Sequence, residues 1–319
     1  MKLPFLTKTL PTALLGIVMG LGITPALAVD GVDPNLPDLF ELEGDPYEPT
    51  GLPDDQNWFL PHDWESLHLY CDSEGVCPEI AGQSMPYEFT TILADPAPMS
   101  IFTTGGSKDV NDILDWKYKD GSVPDKDDIT NAYAAAYVNP YNICYDESGT
   151  YECDPEQAFH LAGDLIIYFG LDRFDNSGDA FAGFWFLQNE VAMVDGQFTE
   201  GHVAKDYPDL GGRGDLLVLV EYPQGSNTIP VIKVYEWDPL DLGDNNTDED
   251  GKSIGPLEMI YSSANGMPDA KCDGEGGKYA CAITNTEDLL NPPAWTYLSK
   301  DGTAWFPFET FYEGGINLT

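Results

Sequence analysis

The stretch GDLIIYFGLDRFDNSGDAFAGFWFLQ, from Gly163 to Gln188, sets two apolar runs on either side of a short polar loop. Leu165 to Leu171 and Phe181 to Leu187 are rich in β-branched and aromatic residues and lack helical spacing, which marks them as strands. Between them, DRFDNSGD packs three carboxylates, an amide and a glycine into eight residues, the composition of a turn. The pattern predicts a β-hairpin crossing a core.

Outward from this stretch the chain continues as short apolar runs cut by Gly, Pro, Asn and Asp. Glu88 to Leu93, Ser100 to Thr103, Trp116 to Tyr118, Leu216 to Glu221 and Val231 to Trp237 are the other candidate strands. Two of the runs begin alike, Gly163-Asp164-Leu165-Ile166-Ile167 and Gly214-Asp215-Leu216-Leu217-Val218, and each reads as a Gly-Asp turn delivering a buried strand. The expected class is all-β, an antiparallel β-sandwich of jelly-roll or lectin-like type. One segment departs from this pattern. PDKDDITNAYAAAYV, from Pro124 to Val138, opens on acids and runs into alanines before Asn139-Pro140, so it is expected to form the one short helix, capped by Asp127 or Asp128.

Residues 1–28 carry Lys2 and Lys8, an apolar stretch from Ala13 to Met19, and Ala26-Leu27-Ala28, the pattern of a secretory signal peptide with its cleavage site. The expected location is outside the cytoplasm: extracellular, at the cell surface or in the periplasm, without membrane insertion after cleavage. Residues 29–57 combine Asp, Glu and Pro with few aromatics and read as a poorly ordered acidic leader. Residues 58–319 then form a single β-sandwich domain.

Fourteen basic and 55 acidic residues give a formal charge of −41. Removing the signal peptide takes away two lysines and no acid. Arg173 and Arg213 are the two arginines, so the clustered cations that bind a phosphate backbone are missing and nucleic acid is excluded as a partner. Charge of this size speaks for an acidic surface suited to high ionic strength, or for cation binding.

The six cysteines fall into three close pairs, Cys71 with Cys77, Cys144 with Cys153, and Cys272 with Cys281. In an exported chain this predicts three local disulfides, and the spacings do not match a zinc knuckle. CYDESGTYEC and CDGEGGKYAC share Glu, Gly and Tyr at equivalent places, and each reads as a disulfide-closed hairpin tip.

Several constellations bear on chemistry. Asp172, Asp175, Asn176 and Asp179 offer oxygen ligands in one loop, a candidate Ca²⁺ site, with salt bridging by Arg173 as the competing reading. DLGDNNTDEDGK, Asp241 to Lys252, follows the first half of an EF-hand spacing, but its twelfth place is Leu257 where a Glu is needed. Arg213-Gly214-Asp215 spells an adhesion tripeptide that runs straight into an apolar strand. His62, His68, His160 and His202 show no metal-binding spacing, and no nucleophile elbow, P-loop or dinucleotide fingerprint occurs. Glu236 and Asp238, on one strand face with Glu221 nearby, are the nearest approach to a glycosidase carboxylate pair. Trp58, Trp64, Trp295 and Trp305 lie in less apolar contexts and are the candidate exposed aromatics for binding sugars, whereas Phe184 to Phe186 belong to the core.

TTGGSKDVNDILDWKY, VPDKDDITNAYAAAY, the Gly163 to Gln188 stretch, GDLLVLVEYPQG with IKVYEWDP, and FYEGGINLT form an ordered set spanning Thr103 to Thr319. In this the chain resembles a group of bacterial exported β-sandwich proteins of unassigned function, which brings no catalytic residues to transfer. The resemblance implies further strands after EGGINL, and hence a truncated sheet with an open edge here. The reading is a secreted or surface-associated binding module, with Ca²⁺-dependent binding of a polysaccharide or a surface protein. The alternatives are an extracellular carboxylate-dependent glycan hydrolase and a purely structural envelope or matrix protein.

Overall fold

Short apolar runs rich in β-branched and aromatic residues favour strands, and the computed structural model has sixteen strands and one α-helix among the described residues. Those residues are 40, 42, 44–47, 63–78, 85–95, 100–102, 112–146, 149–158, 160–205, 213–222, 231–239, 256–262 and 280–318. The strands are β1 (Glu88–Phe89), β2 (Leu93–Ala94), β3 (Ser100–Phe102), β4 (Tyr118–Asp120), β5 (Ile129–Val138), β6 (Ile143–Asp146), β7 (Gly149–Glu152) and β8 (Leu165–Arg173). They continue as β9 (Ala180–Phe186), β10 (Met193–Val194), β11 (Gln197–Phe198), β12 (Leu216–Tyr222), β13 (Val231–Trp237), β14 (Leu257–Ser262), β15 (Ala280–Thr284) and β16 (Phe311–Asn317). Helix α1 spans Trp64–Tyr70.

The protein is an all-β antiparallel sandwich. One sheet runs β1-β5-β8-β16-β15, with β2 also on β5, and the other runs β14-β13-β12-β9. Three two-stranded ribbons, β3-β4, β6-β7 and β10-β11, lie outside them. Between the sheets Phe169, Leu171 and Tyr312 of the first meet Ala182, Val218, Val220 and Val234 of the second in a dry core.

Leu165 to Leu171 and Phe181 to Leu187 are not a hairpin. β8 pairs with β5 and β16, and β9 pairs with β12 in the opposite sheet, so the stretch is an arch that crosses from one layer to the other. Hairpin and arch share one sequence pattern, because both need an alternating apolar strand on each side of a turn. The arch prevails because the inner faces of the two strands stack instead of their edges. The ring of Phe169 lies 4.7 Å from Phe184 and 5.1 Å from Phe186.

The expected helix is also a strand. Asp125–Asp127 forms a single 3-10 turn, and Ile129–Val138 is β5, paired with β8 along most of its length. Tyr133 and Tyr137 share a face in either conformation, which left the period undecided. Burial alternates strictly from Asn131 to Tyr137, and the sheet on both sides overrides the helical preference of the alanines. Tyr133 lies flat over Gly170 of β8: a Cβ there would meet the Tyr133 ring at 2.2 Å.

A third layer closes the outer face of the first sheet. Helix α1 begins at a capping box in which Asp63 and Ser66 bond reciprocally, and it turns Trp64 and Leu67 inward. Trp295, Tyr297 and Phe306 join them over Tyr133, Tyr137 and Tyr168. Part of the segment expected to be a poorly ordered leader belongs to this layer. Phe40 and Leu42 are buried, Phe40 stacks on Tyr168 at 4.6 Å, and Pro46 accepts a bond from Glu65. A few apolar residues among many acids suffice when a preformed groove receives them.

Cys71–Cys77 closes the turn after α1, and Cys144–Cys153 closes the β6-β7 hairpin as expected. Cys281 is disulfide-bonded in β15, while Cys272 lies outside the described residues. The EGGIN strand, β16, lies between β8 and β15. No helix among the described residues is long and apolar enough to cross a membrane.

Candidate functional site

The carboxylates grouped by sequence in the arch loop are separated by the fold. Asp172 is the penultimate residue of β8 and faces the third layer, where it accepts bonds from Asn131 Nδ2 at 2.8 Å and Trp295 Nε1 at 3.1 Å. Burial pushes its carboxyl up to about 7, against the partly offsetting bonds from Asn131 and Trp295. Asp175 accepts from Ser177 and from Lys300 Nζ at 2.7 Å. Burial alone would raise its pKa, but these bonds outweigh that and hold it below the usual carboxylate range. Asn176 donates to the Phe308 carbonyl, and the Asp179 carbonyl accepts from Lys126. Arg173 is buried, and its Nε and Nη2 donate to the carbonyl of Glu309. Among the described residues no three metal-ligating acids, cysteines or histidines gather at one point.

Of the carboxylates weighed for glycan hydrolysis, Asp238 is fully buried at the end of β13, and Glu221 and Glu236 are held by lysines. Glu221 accepts from Lys233 Nζ at 3.0 Å, and Glu236 shares Lys205 with Glu258 at 3.1 and 2.6 Å. Burial would lower the pKa of Lys205, but the bonds from Glu258 and Glu236 win and raise it. Trp64 and Trp295 are buried core residues, each donating its indole N–H to a carboxylate, and are not an exposed binding face. Trp305 is half-buried, His68 lies edge-on to Trp295 at 6.0 Å, and Trp58, His62 and the Asp241 to Lys252 loop lie outside the described residues. His160 is buried, and burial pushes it down to about 4, so its neutral Nδ1 accepts from Asn317 Nδ2 at 2.8 Å.

The two Gly-Asp turns do equivalent work. Asp164 accepts from the Leu161 backbone and from Asn317, tying the loop before β8 to the end of β16. Asp215 accepts from the backbone of Gln188 at 2.8 Å and of Val203 at 3.0 Å, and meets His202 Nδ1 at 3.1 Å. This also removes the acid of the adhesion tripeptide from solvent, since Asp215 is fully buried.

These contacts define the outer face of the second sheet. The rows across it are Trp185, Leu217, Tyr235 and Met259, then Gly183, Leu219 and Lys233, then Phe181, Glu221 and Val231. At one end residues 201–205 lie over the sheet. His202 is sandwiched there between Trp185 at 4.2 Å and Trp237 at 4.4 Å, its Nε2 buried without a hydrogen-bond partner among the described residues. The other end is the more exposed one among the described residues. Phe181 is 56% exposed, opposite Glu221 in the β9-β12 pair. Between Phe181 and Trp185, Gly183 adds no side chain, and Leu217 and Leu219 lean into the space: a Cβ there would meet their methyls at 3.1 and 3.3 Å. The result is a shallow surface with a ring at each end, a leucine floor and an ion pair alongside.

Sequence reasoning assigned Phe181 and Trp185 to a run and could not see that they share a face. Alternation counted from Phe184 and Phe186 as core residues puts Phe181, Gly183 and Trp185 together on the opposite side. No family model, no curated protein and no solved structure matches this chain.

Proposed function

We propose that this chain is an exported recognition module, secreted or held at the cell surface, which acts by binding and not by chemistry. Its contact surface is the open end of the second sheet's outer face. The observation that carries this is Phe181, an aromatic ring more than half exposed on a regular sheet face, beside the Glu221 to Lys233 ion pair. An isolated exposed apolar residue needs no explanation, but a ring continuous with a leucine floor and a second ring forms a patch. Export is supported by two formed disulfides and by the signal-like first 28 residues. Calcium has no part in this reading, because Asp172 and Asp175 are engaged with protein donors and, among the described residues, no three ligating side chains gather at one point.

Sedimentation with insoluble envelope and extracellular polysaccharide material tests the proposal, with reducing ends measured in the same tubes. Retention of the protein without release of reducing ends is the expected outcome. Release of reducing ends makes the protein a hydrolase, and absence of retention on every fraction removes the recognition role.

A further inference from the structure

From the same face we infer the class of ligand: an uncharged, hydroxyl-rich glycan, one sugar of which lies on the Phe181 ring. This rests on the recognition role proposed above. The apolar C–H face of a pyranose matches an exposed ring, and a hydroxyl at its edge finds an acceptor in Glu221, whose second oxygen is not needed by Lys233. Lys233 is nearly buried and held by Glu221, so the face presents an acceptor rather than a free cation.

Charge narrows the class further. A chain of formal charge −41 repels uronate polymers, phosphate polymers and nucleic acid within the screening distance of about 8–10 Å at ordinary salt. A second copy of the same chain meets the same repulsion. A protein partner needs roughly 800 Å² on each side with a desolvated core. What is offered here is one exposed ring, part of a second, and a leucine floor, which fits a short stretch of glycan.

The experiment is affinity electrophoresis of the mature protein through gels containing soluble neutral polysaccharides (glucan, mannan, galactan, xylan) or acidic ones (alginate, polygalacturonate), run with the variants Phe181→Ala, Phe181→Trp and Glu221→Gln. At least one neutral polymer retards the native protein and the acidic ones do not. Phe181→Ala weakens retardation about tenfold or more, the worth of one buried ring, and Phe181→Trp preserves it. Glu221→Gln weakens it by a smaller factor. Each variant's melting curve is recorded so that lost binding is not mistaken for lost fold.

Retardation by acidic polymers alone overturns the charge argument, and unchanged binding by Phe181→Ala overturns the location. If no neutral polymer binds while envelope retention persists, the inference fails and the recognition role stands with a protein partner. If envelope retention is absent too, both fall.

Discussion

The outer faces of the two sheets are built from the same kind of strand and meet opposite fates. On the first sheet, Tyr133, Tyr137 and Tyr168 vanish beneath α1, Phe40 and the aromatic residues 295–306. On the second, residues 201–205 cover one end over Trp185 and Trp237, and the other end is left with Phe181 in water. The covered face carries polar groups that an open face would not need. Glu313 accepts from Trp64 Nε1 at 2.9 Å and from the Gly44 backbone at 2.8 Å, and Asp172 accepts from Trp295. A carboxylate buried this way is tolerable only because fixed donors replace water. In the covered layer polar groups lock distant segments to the sheet; on the other face Glu221 stays where solvent or a ligand can reach it.

The largest expected effect is on the covered face. Trp64 is completely buried and both fills the layer and bonds Glu313. Trp64→Ala is expected to cost about 3–5 kcal/mol in denaturant unfolding, from the cavity and from a buried acceptor left short of a donor. A cost near zero would mean that α1 is a loose attachment and that the first sheet, too, has an open face.

Next comes the β6-β7 hairpin, whose base at Ile143 packs in the same layer. Opening Cys144–Cys153 by the double substitution to serine is expected to cost about 2–3 kcal/mol, a short-loop value. Disulfide exchange that leaves the melting point unchanged would detach this hairpin from the stability of the covered face.

Two buried titrating groups at the first sheet then pull in opposite directions with pH. Asp172 titrates near 7 in the native protein against 3.8 ordinarily. Between these values the folded chain keeps a proton that the unfolded chain has released, so the contribution of Asp172 is present below 3.8 and is lost as pH rises through 7. His160 titrates near 4 against 6.5. Its contribution is present above 6.5 and is lost as pH falls through 4. Asp172→Asn should flatten the decline of stability toward pH 7, measured as the difference in slope between native and variant. His160→Asn should flatten the loss between pH 6.5 and 4. An unchanged slope for Asp172→Asn would mean that water reaches this carboxyl and that the cover over it is open.

Much of this contrast was beyond the reach of sequence. Apolar runs rich in β-branched and aromatic residues identified β8, β9, β12 and β13, and cysteine spacing identified the Cys71–Cys77 and Cys144–Cys153 bridges, because both signals are local. Whether β8 and β9 pair or stack is decided by Phe169 against Phe184 and Phe186, contacts between layers that no local pattern encodes. The alanine-rich β5 was misread for the same reason, its conformation being imposed by β8 alongside. In the arch loop, acids adjacent in sequence were taken as one cation site, yet Asp172 faces the third layer and Asp175 faces Lys300. Trp64 and Trp295 looked exposed because their neighbours are polar; Asp63 and Ser66 are buried with Trp64 in the capping box, and Thr296 faces away from Trp295. Phe181 opens an apolar run whose next aromatic residues read as core, and it faces water.

The smallest expected effect on stability is therefore the one that tests the comparison most sharply. Phe181 stands opposite Glu221 on the open end, so its truncation uncovers little that was dry. Phe181→Ala is expected to change unfolding free energy by no more than about 0.5 kcal/mol, as an exposed position does, while abolishing most of the glycan binding inferred for this face. A loss of several degrees in melting temperature would mean that Phe181 is packed in solution beneath chain outside the described residues. The second sheet would then be covered like the first, and the difference between the two faces, on which the recognition role depends, would disappear.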